Sequence, residues 1–289
     1  MQTVQLILRL FARLPLRFWH TLGALGGVLV FRFNTRYATR LKDNLLRSGI
    51  ASDEAEQQKL LHDCVRQLGM AAAEVVPIWF RSYADVLDLV TECVGWEHVE
   101  DAVRGGKGVL AMTPHLGCFE IVSLYYVARY PMAIMYKPPR QHWAEVLMCA
   151  GRDRGLASLA TADKKGVRIM LAALKRGEAV GILPDQVAST GDGVWASFFG
   201  RPAYTPTLPG RLANLTGAVP LIMFGERLAQ SRGYRIHITP LPHALSEDKA
   251  TATRELNAAL ETLIRKYPAQ YLWSYNRYKQ PGGVAPPDA

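Results

Sequence analysis

The stretch Gly108-Val-Leu-Ala-Met-Thr-Pro-His115-Leu-Gly-Cys-Phe-Glu120-Ile-Val122 decides how the rest of the chain is interpreted. Its apolar run, Val109 to Met112, predicts a short buried strand. Thr113-Pro114 ends that strand, and a helical pattern begins near Glu120. His115 is therefore predicted at the carboxyl end of a strand and just before a helix, which is where open α/β sheets bind ligands.

A carboxylate one turn into that helix is placed to hold the imidazole. Because helical side chains lean toward the N-terminus, Glu120 is expected to reach His115, fix its tautomer and leave the other ring nitrogen as a general base. The spacing is not specific by itself, since His243 and Asp248 repeat it. That copy lies in a polar stretch, and we interpret His243 as a solvated loop residue. The apolar strand and helix around His115 select the first copy as the candidate site.

The positive charge of the chain is concentrated in its N-terminal part. The formal net charge of the 289 residues is +9. Residues 1–50 alone hold eight Lys or Arg and one acidic residue. Residues 4–16 predict an amphipathic helix, and residues 18–31 are apolar but shorter than the ~20 residues that a spanning helix needs. The Arg-rich flanks favour a helical segment lying in or dipping into an anionic membrane, with a buried helical hairpin as the alternative. The rest of the chain lacks the basic face of a nucleic-acid binder, so no nucleic-acid partner is expected.

The four cysteines predict neither a metal site nor a disulfide framework. They are widely spaced, without a CxxC pair or a His-rich cluster, which favours a reducing compartment: Cys64, Cys93, Cys118 and Cys149. Cys118 lies near the candidate site and is given a packing role. We expect no metal and no cofactor.

Alternating strand and helix patterns predict an α/β fold with a mixed, partly parallel central sheet flanked by helices. Strands are expected at residues 90–94, 109–112, 132–136, 179–183, 218–224 and 234–239. Residues 192–209, rich in Gly, Pro and aromatics, are interpreted as a loop that packs against a lipid-like or aromatic surface. The expected organisation is an N-terminal membrane-associating helical segment (1–32), a catalytic domain (33–280) and a disordered tail (281–289).

Polar side chains also follow two other predicted strands. Arg140 ends Tyr136-Lys-Pro-Pro-Arg140, a cationic, proline-stiffened strand end that suits an anionic substrate group. Asp185 and Gln186 follow the strand at 179–183. Asp185 is expected to contact His115, to bond to Arg140 or Arg152, or only to cap a turn, and the sequence leaves these possibilities open.

Five ordered blocks resemble the lipid A biosynthesis acyltransferases, the bacterial lauroyl/myristoyl transferases of the HX4(D/E) acyltransferase superfamily. The blocks are TPHLGCFE, YKPPR, GILPDQ with GVWASFFGRPAYT, GAVPLIMF and QYLWSYNRYKQPGG, and YATRLKDNLLRSG also fits. The resemblance covers nearly the whole chain. It departs from the family pattern at Cys118-Phe119, where Asn/Ser-Trp is common, and at Lys137, where Arg is common.

The resemblance implies transfer of a fatty acyl chain from acyl carrier protein to a hydroxyl of a lipid A precursor of the Kdo2-lipid IVA type. This reaction of lipopolysaccharide biosynthesis would occur at the cytoplasmic face of the bacterial inner membrane. His115 would be the general base and Glu120 would orient it, while backbone N–H groups at Leu116 and Gly117 would bind the oxyanion. The residues expected to bind substrate are Arg140, Arg152, Asp185 and Gln186, with the two Arg side chains suited to phosphate.

Two alternatives accompany this interpretation. One is an acyltransferase for another membrane lipid acceptor, such as a glycerophospholipid, a glycosyl-lipid or an aminolipid. The other is a non-enzymatic membrane-peripheral protein in which the pair His115 and Glu120 is structural.

Overall fold

The computed structural model describes residues 2–287, which form a seven-stranded sheet, a separate two-stranded hairpin and helices on both faces of the sheet. The helices are α1 (Gln2–Ala12), α2 (Leu16–Phe33), α3 (Thr35–Arg47), α4 (Glu54–Ala73), α5 (Val75–Phe80), α6 (Tyr83–Leu87), α7 (Glu97–Arg104), α8 (Phe119–Val127), α9 (His142–Arg152), α10 (Lys164–Lys175), α11 (Leu208–Thr216) and α12 (Lys249–Lys266). The strands are β1 (Val90–Val94), β2 (Val109–Met112), β3 (Met132–Tyr136), β4 (Ala157–Thr161), β5 (Ala179–Ile182), β6 (Gly193–Phe198), β7 (Arg201–Pro206), β8 (Val219–Arg227) and β9 (Tyr234–Pro240).

The sheet has the order β1-β9-β8-β2-β5-β3-β4. Its five strands from β8 to β4 are parallel, whereas β9 is antiparallel to β8 and β1 is parallel to β9. The central strand β2 is buried on both faces: Leu110 and Met112 pack in one core cluster, and Val109 and Ala111 in another. A strand buried on both faces is continuously apolar in sequence, which is the pattern that marked it. The prediction of an α/β fold with a mixed, partly parallel central sheet flanked by helices is confirmed, and the sheet is mostly parallel.

The structure corrects the interpretation of residues 192–209 as a loop, because residues 193–206 form the β6–β7 hairpin and Leu208 begins α11. Phe199 and Gly200 connect the strands with φ of 49° and 71°, as a two-residue turn with both central residues at positive φ requires. The aromatic surface that this segment covers belongs to the same chain. The Phe199 ring centroid lies 5.3 Å from that of Trp273, and the Phe198 ring lies 6.3 Å from Tyr271.

Helix α2 packs on α4 through glycines. A Cβ on Gly69 would lie 2.0 Å from the carbonyl oxygen of Gly23. The two backbones can approach this closely only because neither residue has a side chain. The opposite side of α1 and α2 leaves large apolar side chains exposed, including Leu6, Leu10, Phe18, Leu22, Leu25, Leu29 and Phe33. Within residues 2–287 no single helix has the length and apolarity of a membrane span, whereas the α1–α2 pair, bent by 104°, reaches them together.

A buried polar cluster also attaches α2 to the rest of the fold. Glu74, which follows α4, accepts hydrogen bonds from Arg227 Nε (2.8 Å) and from the Tyr234 hydroxyl (2.8 Å), and His20 Nε2 of α2 lies 3.2 Å away. Burial alone would raise the pKa of Glu74, but the charge and hydrogen bonds of Arg227 outweigh it and lower the pKa to about 2. Helix α2 is thus joined to this buried Glu74–Arg227 pair by the hydrogen bond of His20 as well as by packing.

The C-terminal residues described, 281–287, run beside the hairpin. Thr190 Oγ1 donates to the carbonyl of Gly282 (2.8 Å), and Trp195 Nε1 donates to that of Ala285 (2.9 Å). The last two residues of the tail predicted at 281–289 lie outside the described residues, and the disorder of that tail stays a prediction.

Candidate active site

Two adjacent strands bring His115 and Asp185 together. β2 and β5 are parallel, with Met112 opposite Ile182, so the residues three positions beyond each strand also lie side by side. His115 Nδ1 is 2.8 Å from Asp185 Oδ1, and the backbone N–H of His115 donates to Oδ2 at 3.0 Å. The sequence leaves several contacts open for Asp185, and the structure shows the one with His115.

The carboxylate fixes the tautomer of the imidazole. Burial alone would raise the pKa of Asp185, but the attraction of His115 and its two hydrogen bonds lower that pKa below its ordinary value. An ionised Asp185 accepts from Nδ1–H, which leaves the lone pair on Nε2. The Asp185 side chain is 2% exposed and that of His115 is 16% exposed, so the carboxylate is buried while the imidazole reaches the surface.

Gln186 occupies the other nitrogen. Its Nε2 lies 3.0 Å from His115 Nε2, and since Nδ1 carries the proton, the amide is the donor. Two consecutive residues of the segment after β5 therefore hold both ring nitrogens of one histidine. The Phe119 ring packs against the imidazole, with ring centroids 5.1 Å apart.

Glu120 has partners other than the one expected. Its Oε2 accepts from Arg152 Nε (2.9 Å) and from Trp79 Nε1 (3.0 Å), and its Oε1 pairs with Arg152 Nη2. No hydrogen bond joins Glu120 to His115 within residues 2–287, which corrects the expected geometry. The physical reason is that the first turn of α8 directs this carboxylate toward α5 and α9, while Asp185 holds Nδ1.

Trp79 is a site residue that the sequence did not identify. It lies on α5, 41 residues from Glu120, and no local pattern links the two. Gly151 makes room for it, because a Cβ there would lie 2.3 Å from Cγ of the indole. Burial disfavours the charged guanidinium of Arg152, but Glu120 outweighs this and raises the pKa of Arg152. The guanidinium of Arg152 therefore keeps its charge although its side chain is largely buried.

A chain of contacts links this pair to the N-terminal helices. Arg81, just after α5, donates to the carbonyls of Ala12 (2.7 Å) and Leu14 (2.6 Å) at the end of α1. The backbone of Arg81 in turn accepts from Arg154 Nη2 at 2.6 Å. The helix that carries Trp79 is therefore fastened to α1 on one side and to the end of α9 on the other.

The backbone N–H groups expected to bind an oxyanion are already used. The N–H of Leu116 donates to the carbonyl of Pro114 (2.7 Å), and that of Gly117 donates to the carbonyl of Gln270 (3.1 Å). Gly117 has φ of 59°, and a Cβ there would lie 2.1 Å from the carbonyl oxygen of Gly225. Both N–H groups thus make hydrogen bonds within the protein that hold the loop in place. This corrects the expectation that Leu116 and Gly117 bind the oxyanion.

A small, narrow cleft lies between α8 and the central strands, next to Glu120 and Arg152. Its lining includes polar or charged side chains, Thr113, Ser123, Glu120 and Arg152, and an apolar wall from the central strands, Ala111, Met132, Ile134, Gly181 and Ile182. Arg140 is not brought to this cleft, since it lies on the exposed loop between β3 and α9. No group of three or more His, Cys, Asp or Glu side chains suited to a metal ion occurs in the part of the chain that the structure describes.

These features define an α/β protein in which a buried carboxylate holds a partly exposed histidine at the carboxyl ends of the central strands. The family model of the bacterial lipid A biosynthesis acyltransferases matches residues 3–280, and the chain belongs to this family of acyltransferases of lipopolysaccharide biosynthesis.

Three relatives illustrate the range of similarity. The lipid A biosynthesis palmitoleoyltransferase of Escherichia coli (strain K12) is 28% identical over 280 residues, 94% of this chain and 89% of the relative. The lipid A biosynthesis lauroyltransferase of the same strain is 28% identical over 281 residues, 96% of this chain and 91% of the relative. The phosphatidylinositol mannoside acyltransferase of Mycobacterium tuberculosis (strain CDC 1551 / Oshkosh) is 24% identical over 195 residues, 66% of this chain and 60% of the relative.

Proposed function

We propose that the protein transfers a fatty acyl chain from an acyl carrier protein thioester to a hydroxyl of a lipid A precursor of the Kdo2-lipid IVA type. The observation that carries this proposal is the His115 imidazole, whose Nδ1 is held by a buried carboxylate while the ring remains partly exposed. An imidazole in this state is suited to act as a general base.

The reaction follows from the tautomer. His115 Nε2 takes the proton of the acceptor hydroxyl as its oxygen attacks the thioester carbonyl, and Asp185 stabilises the imidazolium that forms. When the tetrahedral intermediate collapses, the carbon–sulfur bond breaks and the imidazolium returns its proton to the leaving thiolate. The products are an ester and a free thiol, and no acyl-enzyme forms. A general base of this kind contributes about 10²–10⁴-fold to the rate.

Arg152 is the cation that we assign to substrate at the cleft. Its bonds to Glu120 use Nε and Nη2, so Nη1 is the nitrogen that we assign to the oxyanion or a substrate phosphate. Glu120 and Trp79 then act through Arg152, by fixing the plane of the guanidinium. Arg140, on its exposed loop, is assigned to a phosphate farther from the reacting carbon, and Gln186 lies where the reacting hydroxyl must meet His115 Nε2.

The N-terminal segment, residues 1–32, is proposed to attach the acyltransferase domain (33–280) to the cytoplasmic face of the inner membrane. Its exposed apolar side chains and its arginines match an interface of acyl chains and anionic headgroups. The contacts of Arg81 with the end of α1 support a site close to that surface, where a lipid acceptor need not leave the membrane.

The test is acyl transfer in mixed micelles with a lauroyl carrier-protein thioester and Kdo2-lipid IVA. We expect an acceptor product heavier by one acyl group, and a loss of at least about 10²-fold with His115→Ala. His243→Ala, a histidine in an exposed loop, is the matched control. Unchanged transfer by His115→Ala contradicts the mechanism, and no transfer to any acceptor contradicts the proposed activity.

A glycosyl-lipid acceptor is the second candidate. It is favoured by the similarity to the mycobacterial phosphatidylinositol mannoside acyltransferase, although that match covers less of the chain. The same assay with a phosphatidylinositol mannoside in place of Kdo2-lipid IVA separates the two, because the better acceptor gives the larger kcat/KM.

A further inference from the structure

We propose that Gln186 is a displaceable cap on the catalytic base, which keeps His115 from activating water until the acceptor hydroxyl takes its place. The inference rests on the proposed function and deepens it, because it assigns to Gln186 the choice between acyl transfer and hydrolysis of the thioester. In this role Gln186 contacts the reacting nitrogen directly.

The geometry allows one donor at a time. The Gln186 amide nitrogen lies 3.0 Å from His115 Nε2, within the ~2.6–3.2 Å that a reacting hydroxyl must also reach. A neutral imidazole has a single in-plane lone pair on this nitrogen, because the other nitrogen, bonded to Asp185, carries the proton. The acceptor therefore reaches the base only by displacing the amide.

The segment around Gln186 is built so that the side chain moves while the backbone stays. Asp185 is 2% exposed and is held by two hydrogen bonds from His115, and the backbone N–H of Val187 donates to the Tyr275 hydroxyl at 3.2 Å. Gln186 itself is only half-buried. Its side chain has three rotatable bonds, so the amide leaves the imidazole without disturbing the Asp185 contact.

Without the cap, the same base activates water. His115 Nε2 would take a proton from a water molecule as its oxygen attacks the thioester carbonyl, and the thiolate would leave with that proton. The products are a fatty acid and a free thiol, so the donor is lost with no acceptor modified. Gln186 therefore protects the donor during the interval before the acceptor binds, because its hydrogen bond occupies the lone pair that would otherwise activate water.

The first test is release of free fatty acid from the acyl carrier-protein thioester with no acceptor present. We expect Gln186→Ala to hydrolyse the thioester at least about tenfold faster than wild type. The increase should vanish in the double variant His115→Ala/Gln186→Ala, since it needs the base. Gln58→Ala, at an exposed position of α4, controls for loss of a glutamine and should match wild type.

A second measurement separates failure of the cap from failure of the proposed function. The ¹⁵N chemical shift of His115 Nε2 should move in Gln186→Ala but not in Gln58→Ala, whichever substrates the enzyme uses. Wild-type transfer with unchanged hydrolysis by Gln186→Ala overturns the cap and leaves the function standing. If no donor and acceptor pair reacts, an unmoved Nε2 shift overturns the cap as well, whereas a moved shift supports the hydrogen bond and only the function fails.

Discussion

The Nδ1 atom of His115 lies 2.8 Å from Oδ1 of Asp185, and the second oxygen of the same carboxylate accepts the backbone N–H of His115. One buried side chain thus positions both the loop that carries His115 and its imidazole ring. Because β2 and β5 are neighbours in the sheet, the contact depends on strand order and not on local sequence. The carboxylate placed to stabilise a positively charged His115 is therefore that of Asp185 and not that of Glu120.

Replacing Asp185 with Asn should therefore lower acyl transfer while the fold is kept. The asparagine amide keeps the shape of the carboxylate, but its NH₂ group can donate to Nδ1 and so stabilise the tautomer that carries its proton on Nε2. We therefore expect kcat to fall on the order of 10³–10⁴-fold. The measurement is the steady-state rate with saturating donor. Asp192→Asn, at an exposed position, is the control, and a loss below about tenfold for Asp185→Asn contradicts its assignment.

Glu120 and Arg152 should behave as one unit in stability. Both side chains are largely buried, so removing one partner leaves an uncompensated charge and should cost about 3–5 kcal/mol of unfolding free energy. In a double-mutant cycle with Glu120→Gln and Arg152→Met, the double variant should be less destabilised than the sum of the singles. The exposed pair Asp101 and Arg104 gives the comparison, for which near-additivity is expected.

Two glycines of α2 should respond in opposite directions to alanine. A Cβ on Gly23 would lie 2.4 Å from the carbonyl oxygen of Gly69, so Gly23→Ala should destabilise the fold by about 1–3 kcal/mol. Gly26 has open space, and Gly26→Ala should be neutral or stabilise by up to about 1 kcal/mol through helix propensity. Denaturant unfolding of both variants measures this, and equal effects would mean that α2 does not pack on α4 as described.

Attachment to membranes should depend on the outer side of α1. Leu6 and Leu10 are 68% and 66% exposed, and replacing both with Gln should weaken binding to vesicles containing phosphatidylglycerol by at least about tenfold. Leu215→Gln, at an equally exposed site on α11, should leave binding unchanged. Vesicle co-sedimentation measures both, and equal binding by all three proteins would reject the proposed interface.

The stability of the fold should fall in acid partly through Glu74. Its folded pKa of about 2 is below the unfolded value of ~4.3, so the contribution is fully present above the unfolded pKa and is lost as the pH falls toward 2. The unfolding free energy of wild type should therefore drop more steeply between about pH 5 and pH 2 than that of Glu74→Gln. Parallel slopes for the two proteins would show that the pair with Arg227 does not perturb this carboxyl.

The sequence predicted the strands that carry the site because burial on both faces leaves an uninterrupted apolar run, as in Val109 to Met112. It did not indicate β4, whose residues Ala157–Thr161 are small or only partly buried, as suits the edge of the sheet. It also did not indicate the hairpin, where Pro202 and the turn at Phe199-Gly200 resemble a loop pattern.

The sequence predicts most residues of the candidate site, but not which of them form hydrogen bonds with each other. His115 and Asp185 were both placed at strand ends, but their contact follows from β5 lying next to β2, which no local pattern encodes. The spacing of Glu120 suggested a bond to His115, whereas the carboxylate turns to Arg152, which the chain supplies from α9. Trp79 was missed because its role comes only from the packing of α5 against Gly151.

The close approach of Gly23 and Gly69 has a practical consequence for anyone who prepares this protein. Because α2 contributes Leu16, Trp19 and Ala24 to the buried interior, deleting the N-terminal segment to obtain material free of detergent would open the interior rather than release an independent domain. A water-compatible version should instead keep every residue and carry polar substitutions at outward positions such as Leu25 and Leu29.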